Sequence, residues 1–490
     1  MTTKDTTTRG ITIKGCLLPS ILVALAAGCT GPDPFADWTD RGIADRVSEL
    51  SRSPTDQVSA STTGRHASRA ADMPDRAGLD WYLDNALRSN AEIRAARQRV
   101  ERLRERVPQA IALPDPTASI TFGELAETAA GQVDTIVGVR QSLPFPGTLD
   151  ARGEVARQEV VEALHDLQVT TDRVRGDIRR AYWSFFDASS QITVLEQNRA
   201  LLTQIESAVR SRLRVGQASQ ADLLRISRRL ASLENQITML RQRRATASAM
   251  LARLVSRPAA NLPEPAIASD IDWITIELDR TALVRRGMFD SPSVLAARAR
   301  VATYRQRLTL ARRERLPDFV VGVQYGAVSD SGLSPVANGD DQVAGTLGVT
   351  IPLWAGKYDA AEREAMRGMG EALAQVRAAQ DRVAFDIDEA LARIAANQQV
   401  LQRLRERMMP DARQVIDVAL TAYRTGDVDF LQLLDDWQAL LDDQVEEARV
   451  IADLYRARAD LEQALGGEVA ATSGAREPEV LELHTAGGEW

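Results

Sequence analysis

The sequence predicts a mainly α chain with a membrane β-barrel part, laid out as two tandem copies of a β-hairpin followed by long coiled-coil helices. Three observations predict it. Only 5% of the residues are aromatic against 44% hydrophobic, with Ala, Leu, Arg, Glu and Gln abundant, the composition of long helices packed along seams. Four landmarks recur in the same order, at offsets of 201 (Asn90 to Ser291), 203 (Leu113-Pro114 to Leu316-Pro317), 209 (Gly147 to Gly356) and 210 (Gly216 to Gly426). Within each copy, strict alternation gives way to a sustained rhythm of threes and fours.

The chain opens with Lys4, Arg9 and Lys14, then an apolar run from Leu17 to Ala27 that is too short to span a bilayer as a helix. The run ends in Leu25-Ala26-Ala27-Gly28-Cys29, which resembles the lipobox of bacterial lipoproteins. Residues 1–28 are therefore expected to be a signal peptide, and Cys29 to carry a covalent lipid. Thr30 follows the cysteine, where an Asp would hold the product at the inner membrane, so an outer-membrane destination is expected. Residues 29–78 lack a sustained period and read as a polar linker; residues 468–490 read as a flexible tail.

The first copy occupies 79–262, with strands near 117–124 and 134–143 and a long helix at 147–214. The second occupies 263–467, with strands near 318–326 and 343–352 and a long helix at 356–424. Ala118, Ile120 and Phe122 alternate with Thr117, Ser119 and Thr121; Phe319, Val321, Val323 and Tyr325 share another apolar face. That is the pattern of a barrel wall, and a soluble half-buried sheet shows it too. In the long stretches the seam runs through Val174, Ile178, Ile192, Leu202 and Val209, and through Val383, Ile387, Ile394, Leu401, Leu404, Met408, Val415 and Val418. Helices of this length reach about 100 Å. Asn261-Leu262-Pro263-Glu264-Pro265 breaks the return path between the two copies, and Pro410 is positioned to kink the second long helix. Four strands cannot close a barrel, and an open edge cannot face lipid, so the pattern requires several copies: two give eight strands, three give twelve.

Several functions are excluded by what the chain lacks. The net charge of −8 becomes −10 once Lys4, Asp5, Arg9 and Lys14 leave with the leader, which argues against a nucleic-acid partner. Cys16 leaves too, and His66, His165 and His484 show no ligand spacing. No catalytic or metal motif is present, so neither an enzyme, a cofactor nor a metal site is expected.

The duplicated order, the junctions Leu143-Pro144-Phe145-Pro146-Gly147 and Ile351-Pro352-Leu353-Trp354-Ala355-Gly356, and the turns Arg214-Val215-Gly216 and Tyr423-Arg424-Thr425-Gly426 together resemble the TolC-like family of bacterial outer-membrane efflux factors. The first junction is most like the heavy-metal cation-efflux branch, although Thr148 stands where a Lys often follows. The resemblance implies a homotrimer: a 12-stranded β-barrel in the outer membrane continuous with a periplasmic α-barrel of 12 helical columns. It implies a passive, gated exit duct fed by an inner-membrane pump through a periplasmic adaptor, with metal cations among the candidate cargoes. It places adaptor contact at the tips around Gly216 and Gly426, and gate residues at Asp222, Tyr423 and Asp435. Val428 and Gln432 replace the arginine and the second carboxylate of the family's gate. Phe145 and Trp354 sit where strand becomes helix, as an aromatic girdle requires. The acidic run from Asp435 to Glu447 would form a negative ring if it lined the lumen. A periplasmic adaptor or a pore-less coiled-coil scaffold is the alternative, but neither accounts for tandem amphipathic strands.

Overall fold

In a computed structural model, the described residues are 76–123, 125, 127–266, 279–330 and 338–469. The expected signal peptide, Cys29, most of the linker and nearly all of the tail lie outside them. The chain runs through β1 (Arg76–Ala77), α1 (Leu79–Ser89), α2 (Ala91–Arg104), α3 (Arg106–Ile111), β2 (Thr117–Phe122), β3 (Glu127–Thr128), β4 (Gly131–Leu143), α4 (Thr148–Arg214) and α5 (Gln220–Val255). It continues with β5 (Glu264–Pro265), α6 (Arg280–Asp290), α7 (Pro292–Arg313), β6 (Phe319–Ser329), β7 (Gln342–Val349), α8 (Ala355–Arg403), α9 (Met409–Thr425) and α10 (Phe430–Leu465).

The strands of both copies join one antiparallel sheet in the order β2-β4-β6-β7, with β3 hooked onto the start of β4. Directly paired residues share a face. The register therefore aligns Ile120 with Val137 and Tyr325, and Ala118 with Val139 and Val323. Val321 pairs with Leu347 and Phe319 with Val349 in the same apolar layer. The other face carries Thr117, Ser119, Gly138, Arg140, Gly322, Gln324, Thr346 and Gly348. The large apolar side chains exposed on the strands all belong to the first face, up to Phe122 at 73% and Leu347 at 78%. A bulge at Asp134 interrupts the pairing of β4 with β6. β7 stops at Val349, short of the span read from alternation, because Pro352 has no N–H to extend the ladder. β2 and β7 each have an open edge.

Below the sheet, α4 packs against α2, α5, α7 and α10, while α8 packs against α6, α7 and α10. Both helical stretches that precede the strands are broken at the landmark that opens the repeat. Asn90 ends α1 and caps α2, accepting the N–H groups of Glu92 at 2.8 Å and Ile93 at 3.1 Å. Ser291, followed by Pro292 at the start of α7, makes the equivalent break. Beyond Ile192, toward the far helical ends, packing tightens into a cluster in which Leu202, Ile205, Ile226, Leu233, Leu433 and Trp437 are fully buried.

One part of the seam departs from the sequence reading. Between α8 and α9, Leu404–Met408 forms a π-turn, closed by the N–H of Met409 on the carbonyl of Leu404. Pro410 has no N–H, so the carbonyl four residues before it loses its ordinary partner, and the backbone relaxes by one residue. That extra residue rotates the following face. Met409, Ile416, Ala419 and Tyr423 are buried, whereas Met408, Val415 and Val418, expected in the seam, are exposed.

Candidate functional site

Two regions gather the residues singled out by sequence: the junctions between sheet and helix, and the turns at the far helical ends.

At the first junction, Pro144 and Pro146 end β4, and Gly147 starts α4 with φ of +83°, a left-handed conformation that favours glycine. The N–H of Phe145 donates to Asp318 Oδ1 at 3.0 Å, and its ring stacks on Phe319 with centroids 6.4 Å apart. Arg313 donates to the carbonyl of Pro146 at 3.3 Å. The carbonyl of Asp318 also accepts the N–H of Thr350 at 2.8 Å, so this aspartate ties both junctions together. At the second junction, Pro352, Trp354 and Gly356 follow an edge strand. Trp354 is 76% exposed, a Cβ on Gly356 would meet nothing, and the N–H of Leu353 turns back on the carbonyl of Ile351 at 2.9 Å. Asp115, the repeat counterpart of Asp318, has no side-chain hydrogen bond or ion pair with another described residue.

The two helical turns share one construction. Gly216 at φ +77° ends the run from α4, and Gly426 at φ +97° ends α9. The next helix is capped by Ser219 in the first turn and by Asp429 in the second. The carboxylate of Asp222 completes that first cap, accepting the N–H of Ser219 at 3.1 Å, and pairs with Arg225 at 3.2 Å. Tyr423 is 3% exposed, edge-on to Phe430, and its hydroxyl has no hydrogen-bond partner among the described residues. Burial pushes its phenol up, Arg212 opposes this, and the nearby charge of Asp222 adds to it. Asp222 and Tyr423 are near enough to interact electrostatically but are not hydrogen-bonded to each other; the carboxylate is engaged by the cap and by Arg225.

The side chain that does reach Tyr423 is Arg212, which the sequence reading missed. Its guanidinium lies 4.7 Å over the tyrosine ring, donates to the Tyr423 carbonyl and approaches Gly426. The available signal was its place one turn before Gly216. Asp435 is exposed and apart from this group, and Gln432 donates to Asp436 at 3.0 Å. Along α10, Asp435 and Asp442 share one exposed face, Glu447 pairs with Arg405 at 2.8 Å, and burial together with Asp442 raises the Asp443 carboxyl.

A sheet with its exposed large apolar side chains on one face and two open edges, continuous with helical columns, fits a wall segment of an outer-membrane channel. The model of the outer membrane efflux protein family matches residues 82–257 and 289–467, and the chain belongs to that family. It is 26% identical over 476 residues to the pyoverdine export outer membrane protein OpmQ of Pseudomonas putida, covering 92% of this chain and 97% of the relative. It is 23% identical over 407 residues to the cobalt-zinc-cadmium resistance protein CzcC of Cupriavidus metallidurans, covering 79% and 90%. The fold is similar to the solved outer-membrane channel OprN, with a TM-score of 0.68 at 20% identity over 79% of this chain and 90% of that one. It is also similar to VceC of Vibrio cholerae, with a TM-score of 0.67 at 19% identity over 80% and 96%. The chain is an outer-membrane efflux channel protein, and its helices extend into the periplasm.

Proposed function

We propose that three copies of the chain close a 12-stranded barrel, three times four strands, above a periplasmic barrel of helical columns. The assembly is the passive exit duct of a tripartite efflux system, with no catalytic step. The observation that carries this reading is the four-stranded sheet itself: all the large exposed apolar side chains of its strands lie on one face, and it is open along β2 and β7. In lipid those unpaired backbone groups would each be several kcal/mol unfavourable, roughly, so neighbouring copies must cover them.

In this assembly Cys29 carries the lipid anchor, and residues 29–78 tether it to α1. The turns around Gly216 and Gly426 meet the adaptor, which delivers cargo from the inner-membrane pump. Asp222, Tyr423 and Asp435 belong to the resting gate, with Arg212 supporting the second turn where Val428 leaves no arginine. Two relatives, named for pyoverdine export and for cobalt, zinc and cadmium resistance, each match most of the chain, which supports a duct whose cargo is chosen upstream.

The test is oligomeric mass in detergent together with single-channel conductance in a planar bilayer. A trimer with small conductance that rises when Asp222 and Tyr423 are both changed to Ala is the expected result. A monomer silent in both forms would leave a pore-less scaffold as the better reading. Asp435→Ala is expected to lower cation preference; unchanged selectivity would remove the acidic ring from the gate.

A further inference from the structure

The paired register places Arg140 on the polar, glycine-rich face of the sheet. Thr117 stands opposite it on β2, Gly322 on β6, and Thr346 beyond Gly322 on β7. Gly322 makes room for it: a Cβ at that position would come within 2.8 Å of Arg140 Cγ. The side chain is exposed and makes no hydrogen bond or ion pair with another described residue. Apart from Arg140, the four long strands hold one charged side chain, Asp134, at the bulge six positions away. At the rise of an extended strand that is about 20 Å, beyond the screening length of about 8 Å at physiological salt. Asp115 precedes Thr117 by two positions, about 7 Å at strand rise and within that screening length; it forms no ion pair with Arg140, and its carboxylate offsets part of the arginine's field.

The exposed large apolar side chains of the strands all lie on the face away from Arg140, which suits lipid, and an unpaired arginine on a lipid face is unfavourable, the more so toward the bilayer midplane. On the opposite face it remains hydrated. The face shared with Thr117, Gln324 and Thr346 is therefore the lumen, while Ile120, Val323 and Leu347 meet lipid. We infer that Arg140, in three copies, forms a cationic collar inside the barrel that favours solutes bearing carboxylate or phosphate over bare cations. The inference rests on the trimeric duct proposed above and adds a charge filter to it. Its sign is opposite to that of the acidic face of α10, so the two ends of the duct discriminate differently. Cations shed from the acidic end meet repulsion near the base of the barrel, and anionic solutes meet attraction.

The test is the reversal potential in a potassium chloride gradient, for the native chain and for Arg140→Gln, Arg140→Glu and Arg140→Lys. Each is measured also in the Asp222→Ala, Tyr423→Ala background, which is expected to open the turns. The chloride-to-potassium permeability ratio is expected to fall by about twofold or more in Arg140→Gln, to fall further in Arg140→Glu, and to persist in Arg140→Lys. The differences should shrink at high salt, since at about 1 M the screening length is about 3 Å. Citrate added on the extracellular side should reduce current through the native channel and not through Arg140→Gln. Equal selectivity in all four chains, or no effect of citrate on the native channel, would overturn the collar while leaving the duct intact. Absence of conductance in every form, the opened background included, would overturn the duct instead. Oligomeric mass checks assembly, and if Arg140→Gln does not assemble, the native response to citrate alone decides.

Discussion

Arg212, in the last turn of the first long helix, lays its guanidinium 4.7 Å over the ring of Tyr423 in the second and donates to that residue's carbonyl oxygen. One side chain thus joins the two helical turns of a single subunit. Its Nε is buried without a partner among the described residues, so the contact is held by the stacking and the terminal nitrogens.

Arg212→Ala should loosen the second turn. Losing a cation–π contact and a charge-assisted hydrogen bond amounts to about 1–2 kcal/mol. Backbone amides around 423–430 are expected to exchange with solvent roughly tenfold faster, since about 1.4 kcal/mol is a factor of ten. Arg212→Lys should not restore protection, because an ammonium lacks the planar fork. Unchanged exchange in the alanine variant would refute the contact.

Tyr423→Phe tests a different atom. The hydroxyl is buried and unpartnered, so removing it is expected to leave stability unchanged or raise it by up to about 1 kcal/mol. A melting temperature lowered in the assembled protein, with the isolated subunit unaffected, would show that the hydroxyl finds its partner in a neighbouring subunit.

At the barrel junction, Asp318→Ala removes the acceptor for Phe145 and should lower stability by about 1 kcal/mol. Asp318→Asn keeps an oxygen in place and should lose less. Thermal unfolding of the two variants side by side decides this. Equal losses would mean that charge, not the hydrogen bond, matters.

Asp172 supplies a pH dependence. Burial raises its carboxyl above the ordinary 3.8, although the hydrogen bond from Gln168 and the charges of Arg175 and Arg179 oppose the shift. A raised folded value means that the folded chain binds the proton more tightly than the unfolded one. Stability contributed by this group is therefore present at low pH and is lost as pH rises from about 4 through the folded value. Asp172→Asn should flatten the stability profile above the ordinary carboxylate value, so that the variant gains on the native chain as pH rises. An identical slope in both would show that Asp172 titrates normally.

Much of this fold was legible in advance because its signals are periodic. Alternation marks Ile120 and Phe122 on one face, and the same threes and fours that place Ile178, Ile387 and Leu401 inside persist for whole helices. The seam of α9 was not legible. A one-residue π-turn shifts Ile416 in and Val415 out, and no side-chain pattern before Pro410 encodes the direction of that shift. Arg212 was hidden for a compositional reason: nearly every basic residue in the chain is arginine, with Lys4, Lys14 and Lys357 the exceptions. Asp318 was within reach, since an aspartate follows the Leu-Pro pair in both copies. The conformation of Gly147, Gly216 and Gly426 follows from residue type, whereas the partner of Asp222 is a matter of local geometry.

The unlike surroundings of two like junctions bear on heredity as well as assembly. Phe145 is clasped by Asp318 from the adjoining strand, while Leu353 folds back on its own backbone, and the unengaged Asp115 lies a full sheet-width away. The doubled sequence carries the same junction twice, engaged within the subunit between β4 and β6 and facing the open edges at β2 and β7. If three copies close the barrel as proposed above, each seam between subunits would set the second junction of one chain beside the Asp115 edge of the next. On that reading Asp318→Ala is expected to lower the stability of the single subunit, and Asp115→Ala to lower the yield of trimer at equal subunit stability.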